Sequence, residues 1–273
     1  MHYKIMEADV SHTAELKDYL TFAIDLARKA GEYMVSLEGF NEPLPKGHIY
    51  INEYVADVIE EYIQNRIAQT YPAHALFTGL SDKEVEYEWI CDYIDGAYAY
   101  SKKHRISVTS VALVHRGITI VAAVYNPWTD TLYHATLGGG FHVNGQRHQV
   151  VQSESYKGSL IDVEWWRNAS YDVDTWLHQF SVKNDTYVLH IGSIIHAACL
   201  VANNTFSAAV LGKFMSGKNH EIAAIKLLIE EAGCVLTDLH GNSITNVGDI
   251  EGLVFSNKSV HTDLIESYAQ FAN

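Results

Sequence analysis

The stretch Trp89-Ile-Cys-Asp92-Tyr-Ile-Asp95-Gly96 sets two carboxylates three positions apart at the end of an apolar run, with a glycine after them. Glycine lets the backbone turn sharply. On a bending strand end, Asp92 and Asp95 can face one point, with the Ile94 carbonyl between them. Oxygen ligands gathered this way suit a hard dication such as Mg2+. The same spacing also describes a solvated turn after a core strand, since Asp and Gly are ordinary turn formers. On the local pattern both readings stay open.

Other residues could carry chemistry beside this pair. Lys213 and Lys218 sit in the Gly-rich segment Gly212-Lys-Phe-Met-Ser-Gly-Lys-Asn219, just before His220 and Glu221. That segment reads as a basic loop at a ligand rim or as a solvated one. His196 falls three residues after Ser193, one helical turn on, where it can line a cleft. Of the fifteen histidines, His190, His196 and His220 lie beside these segments, and each, taken alone, reads first as a hydrogen-bonded core or rim residue. Trp165-Trp166 after Glu164 reads as a rim platform or an interface anchor. Gly138 to Gly140 permit a tight turn, but no Lys-Ser/Thr follows, so they make a weak nucleotide signal.

Periodicity supplies the elements that must position these groups. Residues 12–37 and 52–69 carry apolar side chains at helical spacing, the second on a stripe of Val55, Ile59, Ile63 and Ile67 closed by Tyr71-Pro72. From about residue 88 the period becomes two. The runs over 105–126 break at Arg116-Gly117, and Asn144-Gly145 marks a second hairpin turn. Further strands are expected over 160–163, 187–190, 206–210, 234–238 and 252–256. Helices are expected over 170–181, 193–203, 220–231 and 260–270. Without strict βαβ alternation, this pattern argues for stacked layers of sheet and helix.

The 273 residues can bury one large core or two smaller ones. A formal charge of −14 works against a nucleic-acid backbone or an acidic membrane surface. An anionic small substrate would need a local cation. Cys91, Cys199 and Cys234 form neither a disulfide framework nor a CxxC pair, and a reducing, cytoplasmic setting follows. No apolar stretch is long enough to span a bilayer, and no signal peptide is visible. The glycosylation patterns at Asn168 and Asn257 are therefore expected to be chance.

The ordered segments resemble the inositol monophosphatase family. Trp89, Asp92, Asp95 and Gly96 match its W-x-x-D-P-x-D-G-T signature. Ser107 to Val114, Val121-Ala-Ala-Val-Tyr-Asn-Pro127, Leu132-Tyr-His-Ala135 and Gly138 to Gly145 follow in the family's order. So do Gly192-Ser-Ile-Ile-His-Ala-Ala198, His220-Glu221-Ile-Ala-Ala224 and Leu228 to Gly233, and the likeness spans roughly residues 15–270. It implies an αβαβα layered sandwich of mixed α+β class, with an N-terminal portion over 1–150 and a C-terminal α/β portion over 151–273 completing the cleft. It further implies a Mg2+-dependent phosphomonoesterase acting on a sugar- or inositol-like phosphate, and a homodimer. Carried over by position, Asp92, Asp95 and Glu221 are catalytic, and Asp92, the Ile94 carbonyl, Asp95 and Glu221 are metal ligands. Gly96, Ala97, Gly192, Ser193, His196, Lys213, Lys218 and His220 line the substrate.

Departures from the family pattern fall on the chemistry itself. The family's Gly-Glu-Glu after the second helix is replaced around Gly79 and Leu80, neither of which has a carboxylate. The threonine after Asp-Gly is Ala97, an expected Asp falls at Ala56, the proline of the metal loop is Tyr93, and the Asp of "WD" is Glu221. Three remaining carboxylates neutralise one dication and part of another. One tight Mg2+ site is therefore expected at most, with Mn2+ as a substitute, and turnover should be slow. The alternative is a repurposed member that binds an anionic metabolite without phosphatase turnover.

Overall fold

The computed structural model describes residues 10–40, 43–77, 85–150, 156–165, 169–215, 219–246 and 248–272, with side chains of the first helix from residue 14. Two long helices come first, α1 (Val10–Leu37) and α2 (Ile51–Thr70). Seven strands follow with one short helix among them: β1 (Ala75–Leu76), β2 (Tyr87–Asp95), α3 (Ala97–Ser101), β3 (Val108–His115), β4 (Ile118–Asn126), β5 (Thr131–Thr136), β6 (Gly140–Val143) and β7 (Gln146–His148). The rest of the chain alternates more freely, through β8 (Leu160–Glu164), α4 (Val173–Asn184), β9 (Tyr187–Leu189), α5 (Ile194–Ala202) and β10 (Ala208–Met215). It closes with α6 (His220–Glu231), β11 (Val235–Thr237), β12 (Ile250–Ser256) and α7 (Lys258–Phe271).

β1 to β7 form one sheet in sequence order, antiparallel except for the β1–β2 pair. β3 and β4 are buried along nearly their whole length, as a sheet covered on both faces requires. Their hairpin turns at Arg116-Gly117, where both residues have positive φ. Asn144-Gly145 repeats that geometry, the mirror-image turn whose twist matches the strands. The second sheet runs β11-β12-β10-β8-β9, with β8 parallel to both its neighbours.

The layers stack as helix, sheet, helix, sheet, helix. α1 and α2 cover the outer face of the first sheet, where Ala23, Ala27 and Ala30 let the α1 backbone come close to it. α5 and α6 fill the space between the two sheets, and α4 and α7 cover the far face of the second. α6 shows why it sits inside: Ile222 to Ile225 and Leu227 to Ile229 are buried on every side of the helix, the mark of an internal helix, not a one-sided surface one. The expected αβαβα sandwich is the observed architecture.

β10 differs from its expected extent. Past a bulge between Leu211 and Phe214 it keeps pairing with β12 as far as Ile250. Lys213 therefore lies on a strand, half-buried, and not in a loop. Lys218 and Trp166 lie outside the described residues.

Candidate metal and anion site

Asp92 and Asp95 both stand on the last turn of β2, and a bulge aligns them. Asp92 pairs with Ser110 and Asp95 with Val108, so three steps on β2 oppose two on β3. Ser110 and Val108 point to the same face of β3. The extra residue thus puts both carboxylates on one face, where a regular strand would put them on opposite faces. The N–H of Ile94, itself buried, holds Asp92 Oδ1 at 3.1 Å.

Gly96 then turns the chain with φ +79°. A methyl group added there would lie 3.0 Å from both the Gly192 carbonyl oxygen and the Ile106 side chain. Gly96 is the point at which the turn after β2 meets the turn before α5. Across that joint Asp95 Oδ2 accepts the Ser193 hydroxyl at 2.5 Å and the N–H groups of Ile195 and His196 at 2.8 and 3.4 Å. A carboxylate at a helix N-terminus satisfies donors that have no partner inside the helix.

The third carboxylate comes from α6. The Asn219 side chain caps this helix by accepting the Glu221 N–H at 2.8 Å, which presents His220 and Glu221 at its first turn. Ligand atoms of Asp92, His220 and Glu221 all lie within 4.8 Å of one another. His220 Nε2 stands 3.6 Å from Asp92 Oδ2 and its ring is half-exposed. Asp95 lies outside this group of three, although its charge acts on Asp92 and Glu221's acts on both aspartates. Burial holds Asp92 well above the usual carboxylate range, with Asp95 and Glu221 adding to it. Burial likewise pushes Asp95 up to about 7, against the pull of the Ser193 hydrogen bond.

Such an arrangement fits a dication. Glu221 Oε2 is buried with no hydrogen-bond partner among the described residues, an expensive condition for a carboxylate. A cation among Asp92, His220 and Glu221 would relieve both this and the mutual repulsion.

Other groups of the expected site are engaged elsewhere. His196 sits beside the cleft, but its Nδ1 donates to the Ile106 carbonyl at 3.0 Å and its Nε2 faces the Asn126 amide at 3.4 Å. With both ring nitrogens held, it braces α5 against the first sheet. Burial also lowers its pKa. Ala97 opens α3 with a methyl group and carries no side-chain oxygen. Ala56 packs on the α1–α2 core. Glu53 accepts the Ile49 and Tyr50 N–H groups at 2.7 and 3.0 Å, which commits it to starting α2. Asp57 is tied to His48 at 2.8 Å. Gly79, Leu80 and Asp82 lie outside the described residues.

Behind Ser193 is a second acidic pair that the sequence reading passed over. Asp162 and Glu164, both fully buried, share one face of β8. Glu164 Oε1 accepts the Gly192 and Ser193 N–H groups at 2.5 and 3.0 Å, while its Oε2 meets His190 Nε2 at 3.0 Å. That hydrogen bond raises the His190 pKa. Asp162 Oδ1 accepts the Ile191 N–H at 3.1 Å, and burial together with Glu164 pushes Asp162 up to about 8. Two acids alternating on an otherwise apolar strand were the available signal.

The family model for "Inositol monophosphatase family" matches residues 15–272. The chain belongs to the inositol monophosphatase family. It is a member with an incomplete metal-binding motif. A relative from Aquifex aeolicus, described as a fructose-1,6-bisphosphatase/inositol-1-monophosphatase, is 30% identical over 92% of this chain and 95% of its own length. A Vibrio cholerae relative described as Nus factor SuhB is 29% identical over 82% of this chain and 86% of its own. Among solved structures, Thermotoga maritima IMPase superposes with a TM-score of 0.79 at 20% identity, covering 93% of this chain and 98% of that one. Inositol monophosphatase-II of Staphylococcus aureus gives 0.79 at 19% identity, covering 93% and 96%. These structural matches establish the fold.

Proposed function

We propose that this family member binds a small phosphorylated or otherwise anionic metabolite through one divalent cation at Asp92, His220 and Glu221, with phosphate-ester turnover slow or lost. The observation that carries this reading is a contrast within the site. The acidic cluster that would hold a cation is present, while Ala97 and Ala56 offer no oxygen where the family pattern has a threonine and an aspartate. A bound cation supplies positive charge for the ligand's anionic oxygens in a strongly acidic molecule. Asp95, Ser193 and the start of α5 keep the cleft shaped around it.

Hydrolysis asks for more than binding. A water must be held in line and relieved of a proton, and removing one preorganised group of this kind costs roughly 10²–10³ in rate. Several such losses together leave little of an ordinary phosphatase. A second reading, a slow phosphomonoesterase, is favoured by the convergence of Asp92 and Glu221 and by the description of the Aquifex aeolicus relative. The resemblance brings Mg2+ or Mn2+ to either reading as the family's cation, and the acidic cluster itself supports a divalent cation.

We also propose a homodimer and a reducing, cytoplasmic setting. Exposed Trp165 and the buried free thiols of Cys91, Cys199 and Cys234 support these, and among the described residues no helix is long and apolar enough to cross a membrane. Light scattering that gives a monomer at high micromolar concentration would remove the dimer.

The functional test is phosphate release from a panel of sugar and inositol phosphates with Mg2+ or Mn2+, alongside Asp95→Asn to expose contaminating phosphatase. Release indistinguishable between the two proteins is expected. Rapid release that vanishes in Asp95→Asn would establish the enzyme instead.

A further inference from the structure

The donor atoms at the cluster are not those of a hard-cation site. Beside two carboxylates stands an imidazole, His220 Nε2, 3.6 Å from Asp92 Oδ2. Mg2+ takes oxygen ligands and yields its water reluctantly. Imidazole nitrogen suits Zn2+, Cu2+, Fe2+ and Ni2+, and affinity for a mixed nitrogen–oxygen set rises along the first transition row to Cu2+ and falls again at Zn2+. A preference for Zn2+ therefore rests on geometry, three protein ligands with a tetrahedral position left open.

We propose that His220 is a metal ligand and that the site therefore selects a transition-metal dication, with Zn2+ the best fit, over Mg2+. This rests on the reading above that a cation sits at the cluster, and it adds which cation and why.

Four features support the assignment. First, the 3.6 Å separation of His220 Nε2 and Asp92 Oδ2 is long for a hydrogen bond. It is near the roughly 3.3 Å between neighbouring ligands of a tetrahedral zinc with bonds of about 2.05 Å. Second, Glu221 Oε2 is buried and unpartnered, so a third donor waits at the same place. Third, the backbone that carries both α6 ligands is pinned by the Asn219 cap, and a fixed ligand geometry favours binding. Fourth, the half-exposed ring of His220 leaves the cluster open to solvent on one side. Three protein ligands with one open position make the arrangement of zinc sites that also take a small ligand. At this cluster the open position is where the anion would bind.

The sequence departs from the family pattern at the position that matters. The family pattern has tryptophan at position 220, which offers no metal-binding lone pair. Exchange of that residue for histidine, next to a carboxylate lengthened by one methylene at Glu221, changes an all-oxygen set into a mixed one.

The test is competitive titration of the metal-free full-length protein with Zn2+, Mg2+ and Co2+, following heat and the visible Co2+ spectrum. Wild type, His220→Ala, Asp92→Asn and His178→Ala are compared. His178 is exposed on α4, on the far side of the second sheet from the cluster, and its replacement controls for stray binding to surface histidines. Zn2+ is expected to bind wild type and His178→Ala at least a hundredfold more tightly than Mg2+. His220→Ala should lose tenfold or more in Zn2+ affinity, change Mg2+ affinity less than threefold, and lose the intense four-coordinate Co2+ bands. Asp92→Asn should weaken both ions. Equal Zn2+ affinity in wild type and His220→Ala, or equal losses for Zn2+ and Mg2+, would overturn the assignment of His220 while leaving a cation at Asp92 and Glu221. Absence of any ion whose binding depends on Asp92 would overturn the proposed function as well. Thermal unfolding of each variant shows that it is folded before it is titrated.

Discussion

Ser193 gives its hydroxyl to Asp95 across 98 residues of sequence, at 2.5 Å and with both groups buried. This one hydrogen bond ties the end of β2 to the start of α5, and with it the acidic face of the first sheet to the central helix layer. Glu164 holds the same turn from the other side through the Gly192 and Ser193 N–H groups. Ser193 is thus clamped between two carboxylates, one from each sheet.

Ser193→Ala should destabilise the protein by about 1.5–3 kcal/mol, the range for a buried hydrogen bond to a charged group. The loss should appear as a lower urea midpoint with an unchanged denaturant slope. A variant as stable as wild type would show that Asp95 is satisfied by the α5 N–H groups alone.

Gly96→Ala tests the close approach at the joint. Its φ of +79° strains any larger residue, and the added carbon meets the Gly192 carbonyl oxygen at 3.0 Å. Gly158 has a similar φ of +74° with nothing near it, so Gly158→Ala reports the conformational strain by itself. Gly96→Ala should cost about 1–3 kcal/mol more than Gly158→Ala and weaken cation binding by shifting the end of β2 that carries Asp92. Equal costs would mean that the two turns separate without penalty.

Acid groups of this kind also shape stability against pH. Unfolded, Asp162 ionises near its ordinary 3.8; folded, it keeps its proton up to about 8. Between those values the folded state binds more protons than the unfolded one, so stability falls as pH rises, by at most about 1.4 kcal/mol per pH unit for one proton. The raised pKa of His190 acts in the same direction, and so do those of Asp92 and Asp95. Below about pH 6.5 the histidines His74, His134, His196 and His261, whose pKa values burial lowers, pull the other way. In chelator, stability should therefore decline from about pH 6.5 to about pH 8, and Asp162→Asn should make that decline shallower by about one proton. A slope unchanged by Asp162→Asn would place the excess proton on another group.

Much of this was legible in the chain. Val55, Ile59, Ile63 and Ile67 announce α2 by spacing alone, and all four are buried. Arg116-Gly117 and Asn144-Gly145 announce their hairpins because positive φ narrows the choice of residues. The αβαβα stack came from the resemblance, not from periodicity. β1, α3 and β7 were missed because two to five residues carry no period. β10 was cut short because its bulge interrupts the alternation, although pairing with β12 continues. The Asp92–Asp95 pair was visible because its members are neighbours in sequence. The clasp of Glu164 on Gly192, Ser193 and His190 was not, because it bridges 26 to 29 residues and only the parallel β8–β9 register brings the partners together.

We propose that the cleft holds an anion through a cation, with ester turnover slow or lost. Phosphorus NMR of inositol 1-phosphate mixed with the protein tests binding and chemistry in one tube, first in chelator and then with excess Zn2+ or Mg2+. The ester signal should be unaffected in chelator, broaden and shift when the cation is added, and persist as ester over hours. In Asp92→Asn the cation should produce no change. Steady conversion to inorganic phosphate over many turnovers, or an ester signal indifferent to cation and protein alike, would contradict the account.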